Sequence, residues 1–301
     1  MEDRELIERI MKLKEDRNAV ILVHNYQPGE VQDIADFLGD SLELSRKAAE
    51  SDADVIVFCG VRFMAETAAI LCPDKTVLLP DPEAGCPLAD MVTVEALRRK
   101  KAEHPEAFVV CYVNSSAEVK AESDVCCTSA NAVRIVEQID GKVLFVPDQY
   151  LGRHVASRTG KELILWPGFC PVHMNILPQD IEELKREHPE ARVVVHPECR
   201  PEVTALADEV LSTGGMCRYA GETESQTLIV GTEVGILHRL RRENPGKTFL
   251  PASERAVCSN MKRITLEKVL HSLEDLSPRV EVPEDIRLRA KAALDAMVRV
   301  G

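Results

Sequence analysis

The chain has 301 residues, 45% of them hydrophobic and 29% charged, with a formal net charge of −13. That balance belongs to a globular chain with ample material for a core, and the acidic excess excludes the basic face of a general nucleic-acid binder. An acidic ligand must then be held by local devices, because the overall field repels it.

Residues 1–17 are charged throughout and predict an amphipathic helix, not the apolar core of a signal peptide. No apolar run approaches the roughly 18 residues of a membrane span. The expected location is the cytoplasm, with no membrane partner. Ten cysteines in a reducing compartment are thiols, metal ligands or catalytic groups more often than disulfides.

An internal repeat sets the plan of the chain. Residues 19–26, 107–114 and 191–198 align at offsets of 88 and 84. The same offsets recover Glu30, Glu118 and Glu202, then Asp36, Asp124 and Asp208, then Ser41, Ser129 and Thr213. The apolar runs 55–58, 143–146 and 227–230 follow on the same register. In the middle copy a strand at 108–113 leads through Ser115 and Ser116 into a helix at 117–122 and a short strand at 124–127. Ser129 then reads as the N-cap of a helix at 130–138, followed by a strand at 143–146, a helix at 149–158 and a strand at 163–166. Continuous apolar strands alternating with helices predict parallel sheets covered on both faces. Helices at 4–15, 93–103 and 179–187 precede the first strands. The expected fold is α/β: three pseudo-threefold-related three-layer α/β/α sandwiches at 1–86, 87–170 and 171–258. A helical segment, 259–301, closes the chain with helices at 265–273 and 283–300.

Cys86, Cys170 and Cys258 each follow an apolar run and a proline-containing loop, at intervals of 84 and 88. Three thiols at one position of a repeat meet only if the units close around an axis. They then make a three-thiolate site with an open fourth position, suited to an iron–sulfur cluster or to zinc. No Cys-x-x-Cys occurs, and soft ligation with an open position favours a non-redox cluster that polarises a substrate oxygen.

Ligands of open α/β sheets bind beyond the carboxyl ends of the strands, and the repeat is expected to place its aligned polar residues there. His24 and Tyr26, Tyr112 and Asn114, and His196 and Glu198 follow the first strands. Ser41, Ser129 and Thr213 follow the second strands at helix N-termini, which favour anions. A ligand with two or three anionic groups is therefore expected. Each residue also has a plainer reading. A serine before a helix is usually a cap, and a lone strand-end His or Tyr is more often structural. Cys59, Cys72, Cys111, Cys126, Cys127 and Cys217 read as small buried hydrophobes, Cys199 is left open, and the basic run 98–101 reads as a solvated helix face.

Across essentially the whole chain, His24-Asn25-Tyr26, Gly39-Asp40-Ser41, Tyr112-Val113-Asn114, Thr128-Ser129-Ala130-Asn131, Cys170-Pro171-Val172-His173, His196-Pro197-Glu198-Cys199 and Ser212-Thr213-Gly214-Gly215 resemble the motifs of the quinolinate synthase family. The resemblance implies three sandwiches in a triangle with a 4Fe–4S cluster at its centre, on Cys86, Cys170 and Cys258. It implies condensation of iminoaspartate with dihydroxyacetone phosphate to quinolinate, phosphate and two waters in NAD biosynthesis, with functional coupling to an iminoaspartate-producing enzyme. Within that chemistry Glu198 and His196 form the acid–base pair, or His196 only binds, while Tyr26 and Tyr112 donate protons or line the cavity. His24, Ser41, Ser129, His173, Ser212 and Thr213 hold substrate, Asn114 orients a carbonyl or imine, and His173 lies near the cluster. Some members carry Cys-x-x-Cys-x-x-Cys at the third ligand. Here Ser259, Asn260 and Met261 follow Cys258, so no thiol–disulfide switch is expected. Another cluster-dependent hydro-lyase on a small dicarboxylate, or a non-enzymatic iron–sulfur sensor, are the alternatives.

Overall fold

The computed structural model describes residues 3–300. Twelve strands are β1 Ala19–His24, β2 Phe37–Gly39, β3 Val55–Cys59, β4 Thr76–Leu78, β5 Phe108–Tyr112, β6 Val125–Cys127, β7 Val143–Val146, β8 Leu163–Leu165, β9 Arg192–Val195, β10 Glu209–Val210, β11 Thr227–Gly231 and β12 Thr248–Pro251. They form three four-stranded sheets in the orders β2-β1-β3-β4, β6-β5-β7-β8 and β10-β9-β11-β12. Within these sheets every pairing is parallel. Past their first residues the central strands are buried runs, mostly of Val, Ile, Leu and Phe, as a sheet covered on both faces requires. This is the expected three-layer α/β arrangement, repeated three times.

The repeat is close but not uniform. Leu22 pairs with Phe37, Val110 with Val125, and Val194 with Glu209, so the first two strands of each sheet keep one register. From first to third strand, Leu22 pairs with Phe58 and Val194 with Val230, whereas Val110 pairs with Phe145. The middle unit is therefore one residue short at this point.

Two recurrences lie away from the carboxyl ends, contrary to the expectation for all aligned polar residues. Asp36, Asp124 and Asp208 sit just before the second strands, and each carboxylate accepts an N–H of the neighbouring first strand: Ile21 at 2.8 Å, Val109 at 2.7 Å and Val193 at 2.7 Å. Each Asp peptide N–H returns a bond to the carbonyl of the same residue. These are strand staples. Glu30, Glu118 and Glu202 are exposed in the first turns of short helices, where a negative charge meets the positive helix end.

The helix Leu266–Asp275 packs on the N-terminal helix Asp3–Asp16, so the start of a fourth unit closes back on the first. The last helix, Glu284–Arg299, buries Ala290, Ala293, Leu294 and Met297 between the first two units. The seam between the first and third units is polar. Asn25 donates to Thr213 Oγ1 at 2.9 Å, Ser212 Oγ to Asp40 Oδ2 at 3.0 Å, and Arg218 pairs with Glu43. A Cβ on Gly214 would lie 2.7 Å from Asp40 Oδ2, so this close approach needs glycine.

The expected caps need correction. Asp40, not Ser41, caps the helix Ser41–Glu50, accepting from Leu42 and Glu43 while the Glu43 side chain bonds back to Asp40 N–H. Ser212 caps the helix Thr213–Glu222. The middle helix is Ala132–Glu137 with Asn131 at its cap position, so Ser129 lies in the preceding turn.

Candidate active site

The carboxyl ends of the three sheets face one cavity with about 650 Å³ of empty space. Its wall includes His24, Tyr26, Tyr112, Asn114, His196 and Glu198 from the first strand ends, and Ser41, Ser129 and Thr213 from the second. Cys86, Cys170, Cys258 and His173 complete the expected set. Ser212 is absent from this wall. Its hydroxyl bonds Asp40 and caps its own helix, which places it behind Thr213.

The three cysteine loops hang from the sheets in the same way. The peptide N–H just beyond each third strand end donates to the carbonyl two residues before the cysteine: Arg62 to Ala84 at 2.7 Å, Gln149 to Gly168 at 2.9 Å and Val234 to Ala256 at 3.0 Å. Backbone N–H groups of the turn that follows each cysteine favour its charged form: those of Leu88 and Ala89 at Cys86, of His173 at Cys170, and of Asn260 and Met261 at Cys258. Burial pushes all three thiols up, Cys86 to about 12. Nearby amide donors favour the thiolate, and a bound cation would supply the remaining stabilisation. Three unpaired cysteines, one per sheet, with such turns on a shared cavity fit a metal centre. Donor atoms of Cys170, His173 and Glu198 also lie within 4.8 Å of one another. That second group shares Cys170, but both His173 nitrogens already have neighbours: Nε2 meets Thr232 Oγ1 at 2.9 Å and Nδ1 lies 2.8 Å from Glu198 Oε2. The latter contact is poorly aligned for a hydrogen bond, and Nδ1 has no other partner among the described residues.

Backbone geometry fixes two imidazoles. Tyr26 N–H donates to His24 Nδ1 at 3.2 Å, and Glu198 N–H to His196 Nδ1 at 3.3 Å. A peptide N–H can only donate, so each Nδ1 is an acceptor and the proton sits on Nε2. Burial lowers both rings to about 3, with Lys262 adding to the effect at His24. Both are therefore neutral donors at ordinary pH. His196 Nε2 meets Ser129 Oγ at 3.1 Å and stacks on His173 with ring centres 4.8 Å apart.

Glu198 is 3% exposed. Burial pushes its carboxyl up, but His173, His196 and a bond from Tyr112 outweigh burial and hold it well below the usual range, so it is ionised. An ionised carboxylate only accepts, so Asn114 must turn Nδ2 towards it, at 3.4 Å. Asn114 Oδ1 is left buried with no partner among the described residues. Burial, reinforced by Glu198, raises both tyrosines well above their ordinary value and keeps them protonated. The Tyr26 hydroxyl bonds Thr232 Oγ1 at 2.5 Å.

A family model for Quinolinate synthetase A protein matches residues 8–299. The chain belongs to the quinolinate synthase family. A quinolinate synthase of Dehalococcoides mccartyi is 63% identical over 99% of both chains. Quinolinate synthase 2 of Methanosarcina acetivorans is 58% identical over all of this chain and 97% of its own. A quinolinate synthase of Desulforudis audaxviator is 58% identical over 98% of both. The chain is thus an enzyme of this type, with quinolinate synthase function in NAD biosynthesis. Among the described residues no helix is long and apolar enough to cross a membrane.

Polar residues at or near this wall that escaped the sequence reading include Glu233, Asp148 and Thr232. Glu233 and Asp148 are fully buried acids at the ends of β11 and β7. Thr232 links Tyr26 to His173. Asp148 was hidden by the one-residue slip in the middle unit, since fixed offsets of 88 and 84 set Gln149, not Asp148, against Val61 and Glu233. The remaining cysteines, Cys199 included, are buried in the units.

Proposed function

We propose that this cavity condenses iminoaspartate with dihydroxyacetone phosphate to quinolinate, phosphate and water, with Cys86, Cys170 and Cys258 holding a 4Fe–4S cluster. The observation that carries the reading is the convergence of three sheets: each brings a cysteine to one wall that also carries His24, His196, several hydroxyls and the carboxylate of Glu198. A bound cluster with an open iron supplies Lewis acidity towards a substrate oxygen. On this reading the units run 1–86, 87–170 and 171–258, each ending at its cysteine, with 259–301 as closing segment.

The chain's own groups divide the remaining work. His24 offers an Nε2–H, and His196 turns the Ser129 hydroxyl proton outward by donating to its oxygen. With the hydroxyls of Ser41 and Thr213 they bind carboxylate and phosphate oxygens. Asn114 Oδ1, lacking a partner, accepts the N–H of an imine or amine. Glu198 removes protons from the triose, and Tyr112 and Tyr26 return them to leaving oxygens. Neutral His196 binds and orients; it is not the acid of the pair.

Anaerobically purified protein is expected to be brown, to hold about four irons per chain, and to form quinolinate from the two substrates. Stoichiometric zinc without iron overturns the cluster assignment. Full iron with no quinolinate overturns the reaction.

A further inference from the structure

Glu233 lines the cavity but has no part in the chemistry above. It is fully buried, and three donors meet on its two oxygens. Oε1 accepts the peptide N–H of Cys258 at 3.0 Å, and Oε2 accepts that of Gly235 at 2.7 Å. Lys262 Nζ lies 2.9 Å from Oε1 and 3.1 Å from Oε2. Lys262 donates once more, to the carbonyl of Tyr26 across the polar seam. The junction is tight: a Cβ on Gly235 would lie 2.6 Å from both Lys262 Nζ and the Tyr26 carbonyl oxygen. At the equivalent strand ends Val61 offers no side-chain acceptor, and Asp148 Oδ1 caps the helix Gln149–Thr159, with the Cys170 N–H also favouring the charged form of that carboxylate.

We propose that Glu233 and Lys262 are positioning residues for the third cysteine and for Tyr26. The carboxylate fixes the Cys258 peptide and so aims its sulfur into the cavity. The ammonium, held by that carboxylate, fixes the Tyr26 peptide beside it. A buried ion pair is poor value as general stabilisation, because apolar residues of like volume often serve as well. Its advantage is direction, since each oxygen has an assigned donor. The consequence for iron rests on the cluster reading; the aiming of the thiol does not.

The test is site-resolved alkylation of the metal-free protein by iodoacetamide, followed by peptide mass spectrometry. In Glu233→Ala, Cys258 should react about tenfold faster, the effect of one lost buried charge-assisted bond, while Cys86 and Cys170 keep their rates. Glu233→Gln retains an acceptor for the Cys258 N–H and should restore the parent rate. With iron loaded, chelator-driven release should be faster in Glu233→Ala and recover in Glu233→Gln. Acceleration of all three cysteines together, or of none, overturns the proposal. Should Glu233→Ala fail to fold, Lys262→Met is read by the same criterion. A parent protein that takes up no iron defeats the cluster reading and leaves the thiol measurement intact.

Discussion

The ring of Asp36, Asp124 and Asp208 and the ring of Cys86, Cys170 and Cys258 recur with equal regularity, yet they do opposite things. The aspartates are exposed at the starts of the second strands, and their carboxylates hold strand N–H groups. The cysteines are half-buried beyond the ends of the fourth strands and line a shared cavity. Recurrence alone therefore measures the repeat. What separates fold from function is the end of the sheet on which the recurrence falls. At the carboxyl ends, helix N-termini and unsatisfied loop groups converge on a ligand. At the opposite ends, a polar group finds its partner in the neighbouring strand.

The cysteine ring should give the largest effect. Cys86→Ala, Cys170→Ala and Cys258→Ala should each abolish quinolinate formation and lose the intact cluster, read by iron content and visible absorbance. Cys72→Ala and Cys126→Ala, buried within the units, should keep both. A Cys258→Ala protein with full iron and turnover would remove the third member from the ring and with it the threefold site.

Glu198 sharpens the comparison, because it belongs to the carboxyl-end set but not to the metal set. Glu198→Gln keeps the shape and the acceptor oxygen facing Asn114 but removes the charge. Turnover should fall by about 10²–10⁴-fold, the range for general acid–base catalysis. Iron content and binding of a quinolinate-like dicarboxylate should stay near the parent, since neither sulfurs nor helix N-termini are touched. Retention of turnover within about threefold would move the base to another group, with Tyr26 the first to examine.

The strands, the three sheets and the convergence of the first strand ends were legible because buried parallel strands are continuous apolar runs and the offsets of 88 and 84 hold there. Asp148 was not, for the slip between β5 and β7 breaks that register. Lys262 lies past the third cysteine, where no complete copy exists for comparison. The cap at Asp40 could have been read: Glu43 stands three residues after Asp40, the spacing of a capping box, and only two after Ser41. The partnerless oxygen of Asn114 and the neutral tautomers of His24 and His196 had no sequence signal. They follow from which neighbours the fold brings within bonding distance.

The smallest effect belongs to the aspartate ring, and Asp124 is its cleanest member. Lys14 pairs with Asp36 and Arg192 with Asp208, so those two mix a charge pair with the staple. Among the described residues no such pair holds Asp124, and its 2.7 Å bond to Val109 N–H is the main interaction removed. Asp124→Ala leaves that amide without its side-chain acceptor at an edge reached by water, which limits the loss to about 1 kcal/mol. For a chain of this size the melting temperature should drop by roughly 1–2 °C. Asp124→Asn keeps an acceptor oxygen and should recover most of the loss. Iron content and kcat should match the parent in both variants, because the staple lies at the opposite end of the sheet from the cavity. A fall in kcat at unchanged melting temperature would place Asp124 with the cysteines and dissolve the distinction between the two rings.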